Sequence, residues 1–412
     1  MTKGTGTAGT TGTTGMTGAV AQGAEARRTP DAGYAPPAGT QRLLHEAAVA
    51  GDRGAVLEAL AGSRLFVLVA RLHADTPGFT PPLPVQPDPA TPGRMCVTVL
   101  TSGTLPPWHP DWVFEAIGLD ELGRRWPPGA RWLAVDPGTP YAVTLDARPG
   151  KRRAWAKAQA RSGGPRTGRL LTLGTGPLHG PDAHGLALGA HLAVHNGLVW
   201  NDLGAAYEGY ATDRSRLRDP WGVYDRATYR ERLESLLAAR LVGRTYESVL
   251  RIRQGLAGRL GRAPTAPEWS AALTDALARH RSAPGEAAEA HEALRLAVTY
   301  EDRFRADGVL GAGERVDTLA AFDHGRAVNL VRLALGARLC DPVEAGQAVL
   351  RIGAQARQAY GSWAEFSLGY SLARVMHFDA DDPSGAKYAQ SLAQHRLLTQ
   401  DPESPYRNLA WS

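Results

Sequence analysis

Three histidines, His184, His191 and His195, carry the one spacing in this chain that could hold a metal. They stand seven and four residues apart, so on a single helix opening near residue 182 all three would share a narrow arc. Imidazoles at i and i+4 converge well enough to bind one ion. Against this, Leu192 stands where zincin-type hydrolases place glutamate, and His184 lies almost three turns from His195. The spacing therefore reads as surface or core histidines, with no metal and no cofactor. Just upstream, Leu170–Leu173 leads into a turn carrying Gly174, Gly176 and Gly180. A strand, a glycine-rich turn and a helix start can cradle a phosphate. The spacing is neither the dinucleotide fingerprint nor a P-loop, since no Lys-Ser/Thr follows. A plain turn is the favoured reading, and an anion cradle the sharper alternative.

Two further groups could bind rather than react. Residues 147–169 hold eight Lys or Arg and no acid, with Trp155 among Arg152, Arg153 and Lys157. Cations beside an aromatic could track a nucleic-acid backbone and stack a base. Gly163-Gly-Pro165 would break a helix, and a solvated linker between domains is the favoured reading. The second group is Asp323, Arg326, Trp363, Tyr370 and Arg374. Asp323 and Arg326 can pair at i, i+3, and Arg374 lies one turn beyond Tyr370, where it could stack on the ring. Gathered around a pocket, the five would suit an anionic or planar ligand. Wedged between helices, they are an ion pair and an aromatic seam. No nucleophile stands at a convincing spacing from a base.

Three consecutive helices must position the second group. Over 321–340, Val328, Val331, Leu335 and Leu339 recur at helical spacing, and Leu330, Leu333 and Ala334 widen the apolar face. Only Asn329, Arg332 and Gly336 make a polar stripe, so this helix belongs inside a core. Asp341-Pro342 stops it and caps the next, which carries Val349, Ile352, Ala356 and Tyr360 on one side. Ser362-Trp-Ala-Glu365 has the form of a capping box opening a third helix.

The Phe322-Asp323-x-x-Arg326-Ala-x-Asn329-Leu run resembles the YbeU/YbeR-type bacterial domain of unknown function. So does the run from Tyr360-Gly-Ser362-Trp363 through Phe366 and Tyr370 to Arg374. Upstream, Trp221-Gly-Val-x-Asp225-Arg fits the same pattern, so the resemblance spans roughly the last 230 residues. It implies a mostly helical domain and assigns no reaction.

The rest of the chain divides by composition. Residues 1–40 are Gly, Thr, Ala and Pro with almost no large apolar side chain, which predicts a disordered tail. From Gln41 one or two short helices break near Gly51-Asp52, and Arg64–Arg71 reads as a buried strand. Seven prolines between 76 and 93 predict an extended loop. Met95–Leu100 is a second strand, Pro110–Arg125 a helix, and Arg131–Val135 and Tyr141–Leu145 two more strands. This order resembles the SseB N-terminal domain, on the Val97–Ser102 strand end and the Leu133-Ala-Val-Asp-Pro-Gly-Thr-Pro140 turn. That family often has Asn where Asp136 stands here. Beyond residue 200 come a short amphipathic piece to Tyr210, a helix from Tyr224, and helices near 245–259, 267–281 and 285–305.

The predicted architecture is thus multidomain. It comprises a tail over 1–40, a small α/β domain over 41–146, a basic linker over 147–170 and a mostly all-α helical domain over 171–412. With 43% apolar residues the 412-residue chain can build real cores. Its formal charge of +5 falls to −3 once the eight cations of 147–169 are set aside. Two cysteines make no disulfide framework. No signal core or membrane-length apolar run is visible, so a cytoplasmic protein is expected. The function read from these features is a non-enzymatic module that binds another protein. The alternative is an enzyme or sensor for a phosphorylated or nucleotide-like small molecule, and nucleic-acid binding through the basic stretch is weaker still.

Overall fold

The structure, a computed structural model, describes residues 39–78, 80–88, 90–164, 167–379 and 384–411. Most of the segment read as a disordered tail, up to residue 38, lies outside the described residues. The first two helices, α1 (Thr40–Val49) and α2 (Arg53–Ala61), fold back on each other across Gly51 at φ +65°. A side chain there would strain the turn. Asp52 caps α2 by accepting from the amides of Gly54 and Ala55 at 2.8 and 3.0 Å.

The sheet follows, with β1 (Leu65–Ala70), a one-turn α3 (Arg71–Ala74), β2 (Val85–Pro87), β3 (Met95–Thr101) and β4 (Trp112–Ile117). After α4 (Leu119–Arg124) come β5 (Trp132–Val135) and β6 (Val143–Asp146). Spatial order is β4-β1-β3-β5-β6, with β2 added to β3. The β3–β5 pair is parallel and the other pairs are antiparallel. One face carries Val67, Val99, Leu133 and Val113 against α1 and α2. The opposite face carries Phe66 and Phe114 against Ala205 and Ala206 of the second unit.

Two expectations for this unit are corrected. Pro110–Arg125 is not one helix, because its first half is β4, paired with β1 from Trp112↔Ala70 to Ile117↔Leu65. Both faces of this strand are covered: Val113 and Ile117 enter one core and Phe114 the other. A strand apolar on both sides shows no alternation, so its period is hidden. Nor is 147–170 a solvated linker. Its larger part is α5 (Pro149–Ser162), which packs on α4 and α2. Trp155 is 2% exposed and meets Trp126 edge-on at 5.5 Å. The breaker Gly163-Gly164 ends this helix rather than preventing it, with Gly163 at φ +68°.

The second unit is helical. Its members are α6 (Gly180–Ala187), α7 (Ala190–Asn196), α8 (Tyr210–Arg218), α9 (Arg226–Leu237), α10 (Arg244–Leu260), α11 (Ala266–His280) and α12 (Pro284–Ala306). They are followed by α13 (Ala320–Gly336), α14 (Pro342–Ala359), α15 (Trp363–Phe378), α16 (Ala386–Gln400) and α17 (Pro405–Asn408). Every residue of α13 except Arg326 is buried, as its nearly continuous apolar surface requires. Leu170–Leu173 makes only an isolated bridge between Leu171 and Val199, and 197–209, which holds most of the short amphipathic piece, is irregular. Among the described residues no helix is long and apolar enough to cross a membrane.

Arg338 locks the two units together. It is 8% exposed and sits at φ +64° just past α13. Its guanidinium donates to the carbonyls of His109 (3.1 Å) and Trp112 (2.5 Å) in the α/β unit. It also donates to Ala205 (2.8 Å), Leu335 (3.1 Å) and Gly336 (3.0 Å) in the helical unit. Trp108 lies against the same cation at 5.3 Å and donates its indole N–H to Leu335. Replacing it by Arg338→Met would remove this donor from the carbonyls of His109, Trp112, Ala205 and Gly336, while Leu335 keeps the Trp108 indole, at a cost of roughly 3 kcal/mol or more. Calorimetry of that variant is expected to resolve two unfolding transitions where the parent shows one. A single transition at the parent temperature would show that the lock carries no coupling.

Candidate functional site

A cleft of about 440 Å³ lies between the two units. One wall is the α1–α2 hairpin, which offers Leu43, Ala47, Ala55 and Ala59. The other is built from 169–173 and 197–207, with Leu171, Leu198 and Tyr207 as its apolar parts. Arginines hold the irregular wall in shape. Arg64, at the start of β1, donates to the carbonyls of Gly197 (3.0 Å) and Asn196 (3.2 Å) and pairs with Glu208 at 3.2 Å. Arg332, from the polar stripe of α13, donates to the carbonyls of Asp202 (2.8 Å) and Val199 (2.7 Å) and lies over the Tyr207 ring at 4.7 Å. Among the described residues lining the cleft there is no histidine and no cysteine, so Ser63 and Ser102 have no imidazole to activate them.

The floor is tied to a buried carboxyl. Gln41 is 1% exposed, lines the cleft and donates to the Thr101 hydroxyl. That hydroxyl donates onward to Asp136, which also accepts from the Thr101 amide at 2.7 Å and from the Thr104 hydroxyl. Burial outweighs these three bonds and pushes the Asp136 carboxyl up from 3.8 to about 6.

The residues singled out from sequence lie elsewhere. Asp323 accepts from the amides of Leu241 (2.7 Å) and Val242 (2.9 Å) and pairs with Arg326 at 3.2 Å, so the i, i+3 pair is present. Arg326 lies over Trp221 and Phe322, each at 4.9 Å. Burial raises the Asp323 carboxyl to about 6. Trp363 stacks on Tyr406 at 4.4 Å and donates to the Leu409 carbonyl. Arg374 does not stack on Tyr370. It bonds Gln390 at 3.1 Å and lies over Phe378 at 5.8 Å, while Tyr370 stacks on His191 at 4.2 Å. None of these five residues lines the cleft; they sit along one aromatic region, in which Phe322 meets Tyr370 at 5.2 Å and His191 meets both Tyr370 and Tyr406.

The three histidines are not on one helix, because Leu188-Gly189 separates α6 from α7. A Cβ at Gly189 would come within 2.7 Å of Val328, so the break lets the chain approach α13. His184 packs on Trp363 and Trp411, and burial with the Arg357 charge holds it down to about 4. His191 bonds the Ser367 hydroxyl at 2.9 Å, and Ser367 bonds His395 at 2.8 Å. All three are buried, and burial keeps both imidazoles neutral. This Ser–His contact is sealed from solvent and serves as a rung between α7, α15 and α16. His195 faces Arg374 at 3.5 Å. Among the described residues no group of three His, Cys, Asp or Glu could hold a metal.

Gly176 in the glycine-rich turn lies against Asn201, whose side chain bonds the Leu173 amide and carbonyl at 2.9 and 2.8 Å. Gly174 and Gly180 are exposed, and Gly180 opens α6 at φ +81°. In the basic stretch, Trp155 is unavailable for base stacking and Arg152 donates to the Gly123 carbonyl at 2.6 Å. Arg153 and Lys157 remain exposed. Sequence reasoning missed Gln41, Arg64, Arg169 and Tyr207 as cleft residues. The one available signal was Arg332, a cation in an otherwise apolar helix.

Residues 216–411 match the profile of a family described as a protein of unknown function (DUF1266). No curated protein and no solved structure matches the chain. The matched range contributes Arg332 to the cleft, and the remaining lining comes from the segment before it.

The Asp136 carboxyl has a pH signature. A carboxyl whose folded value is raised binds its proton more tightly in the native state. Its contribution to stability is therefore full below about 3.8 and lost as pH rises through about 6. The loss amounts to roughly 3 kcal/mol. Asp136→Asn removes the titration and also suits the left-handed backbone there, φ +48°. Denaturant titrations of parent and variant are expected to converge near pH 4 and to favour the variant progressively toward pH 7. A constant difference across that range would refute the assignment.

Proposed function

We propose that this chain is a binding module rather than a catalyst, and that its receptor site is the cleft between the α/β and helical units. One observation carries the reading. Both units wall the cleft of about 440 Å³, and its arginines hold loop carbonyls in place, while among the described residues lining it there is no imidazole or thiol. Its volume falls within the ~300–1,000 Å³ usual for small-molecule sites. A small molecule bridging both walls would tighten the units around it, which is the behaviour of a sensor.

On this reading the α/β unit is an SseB-like domain and the helical unit a YbeU/YbeR-type domain, as their motifs suggest. The mixed sheet over β1–β6 and the helices α13–α15 support that reading. A cytoplasmic setting is proposed from Cys96 and Cys340, both buried as free thiols. Docking of a protein partner is the competing account, and the same experiment separates the two.

A ligand at a hundred times its dissociation constant stabilises by about 2.7 kcal/mol. A small-molecule metabolite fraction is therefore expected to raise the melting temperature of the parent protein by several degrees. Ala55→Trp places bulk at a half-buried cleft position and should abolish the shift while leaving the apo melting temperature nearly unchanged. If no small-molecule fraction shifts the parent and a stoichiometric protein is captured instead, the adaptor account replaces this one.

A further inference from the structure

The charges of the cleft narrow the ligand class, and the inference rests on the receptor reading above. Arg332 is 2% exposed, yet its bonds go to two carbonyl oxygens rather than to a carboxylate. A buried guanidinium held by backbone carbonyls and the Tyr207 ring, with no carboxylate bonded to it, leaves positive potential at the wall. Arg64 shares Glu208 with Arg216, so one carboxylate serves two cations. Arg169, on the same wall, is exposed and has no partner among the described residues. Three of the acids that line the cleft lie on the opposite hairpin, where Asp52 caps α2 and Glu46 pairs with Arg42 at 3.8 Å, and a fourth, Asp202, stands on the arginine wall, its carbonyl accepting from Arg332 at 2.8 Å. Glu58 is the exposed acid left on that side. Between the two walls the surface is aliphatic and aromatic, with Leu43, Leu171, Leu198 and Tyr207.

We propose that the cleft takes a small organic acid, its apolar body between Leu43 and Leu198 and its single anionic group drawn to the wall of Arg169 and Arg332. Carboxylate, sulfonate and phosphate monoester share this chemistry, since each offers a delocalised anion to a guanidinium fork. Arg169 is the selecting residue: it is free in the absence of ligand, whereas Arg64 and Arg332 are already spent on the loop.

Two fluorescent probes separate the class from the site. Anilinonaphthalene sulfonate carries an apolar body and one anion, and N-phenyl-1-naphthylamine has nearly the same body without charge. In titrations of the full chain the sulfonate is expected to bind about tenfold tighter, the gain a charge-assisted contact supplies. Arg169→Gln should bring the sulfonate down to the neutral probe and leave the neutral probe unchanged. Ala55→Trp should abolish both, with circular dichroism confirming that each variant is folded. Equal affinities of the two probes for the parent, both lost in Ala55→Trp, would overturn the acid class and leave the receptor site standing. Binding of neither probe, or of both unchanged in Ala55→Trp, would overturn the receptor site and the acid class together.

Discussion

The structure depends on what a buried helix does with its polar side chains. Helix α13 is enclosed on nearly every side, so each polar group it carries must find a partner inside the protein or cost free energy. Asp323 takes two amides from the chain between α9 and α10. Arg332 takes two carbonyls from the loop after α7. Arg338, two residues past the end of the helix, takes carbonyls from both units. Most of these partners are backbone groups in segments without regular secondary structure. Irregular segments have unpaired peptide groups, and a buried charge can satisfy several at once. The helix therefore organises loops distant in sequence, and the cleft is a by-product of that organisation.

This explains why the cleft and the aromatic seam are separate. Around α15, Trp363, Phe366 and Tyr370 fill space between helices, and their rings meet Tyr406, Trp411 and His191. The polar groups there, such as the His191–Ser367–His395 rung, are neutral and face one another across the interface. At the other side of α13 the neighbours are loops, which cannot pack as densely as helices, and a concavity remains between Tyr207 and the α1–α2 hairpin.

Interdomain contact is similarly economical. The sheet uses one face for its own helices and the other for Ala205 and Ala206, so both faces are dry. Small residues at that junction let Phe66 and Phe114 approach the connecting chain. Arg64 and Arg338 then supply directional bonds on either side of an apolar contact. The units are held by burial and oriented by guanidinium geometry.

Most elements were legible without coordinates. Helices α10 to α15, the α1–α2 break and strands β1, β3 and β5 follow from periodicity, caps and breakers, because those signals are local. Sequence also identified the i, i+3 pairing of Asp323 with Arg326, which one helix decides by itself. What it misjudged were features settled by a distant partner. The strand Trp112–Ile117 looks helical until β1 pairs with it, and Trp155 looks exposed until Trp126 and α4 cover it. His184, His191 and His195 look collinear until Gly189 bends the chain toward Val328. The cleft was invisible for the same reason: Gln41, Arg64, Arg169 and Arg332 are separated by up to most of the chain, and no spacing rule links them. Local chemistry fixes which segments become helices and strands. Only the closing of one surface on another decides which side chains are buried together and where space is left between them.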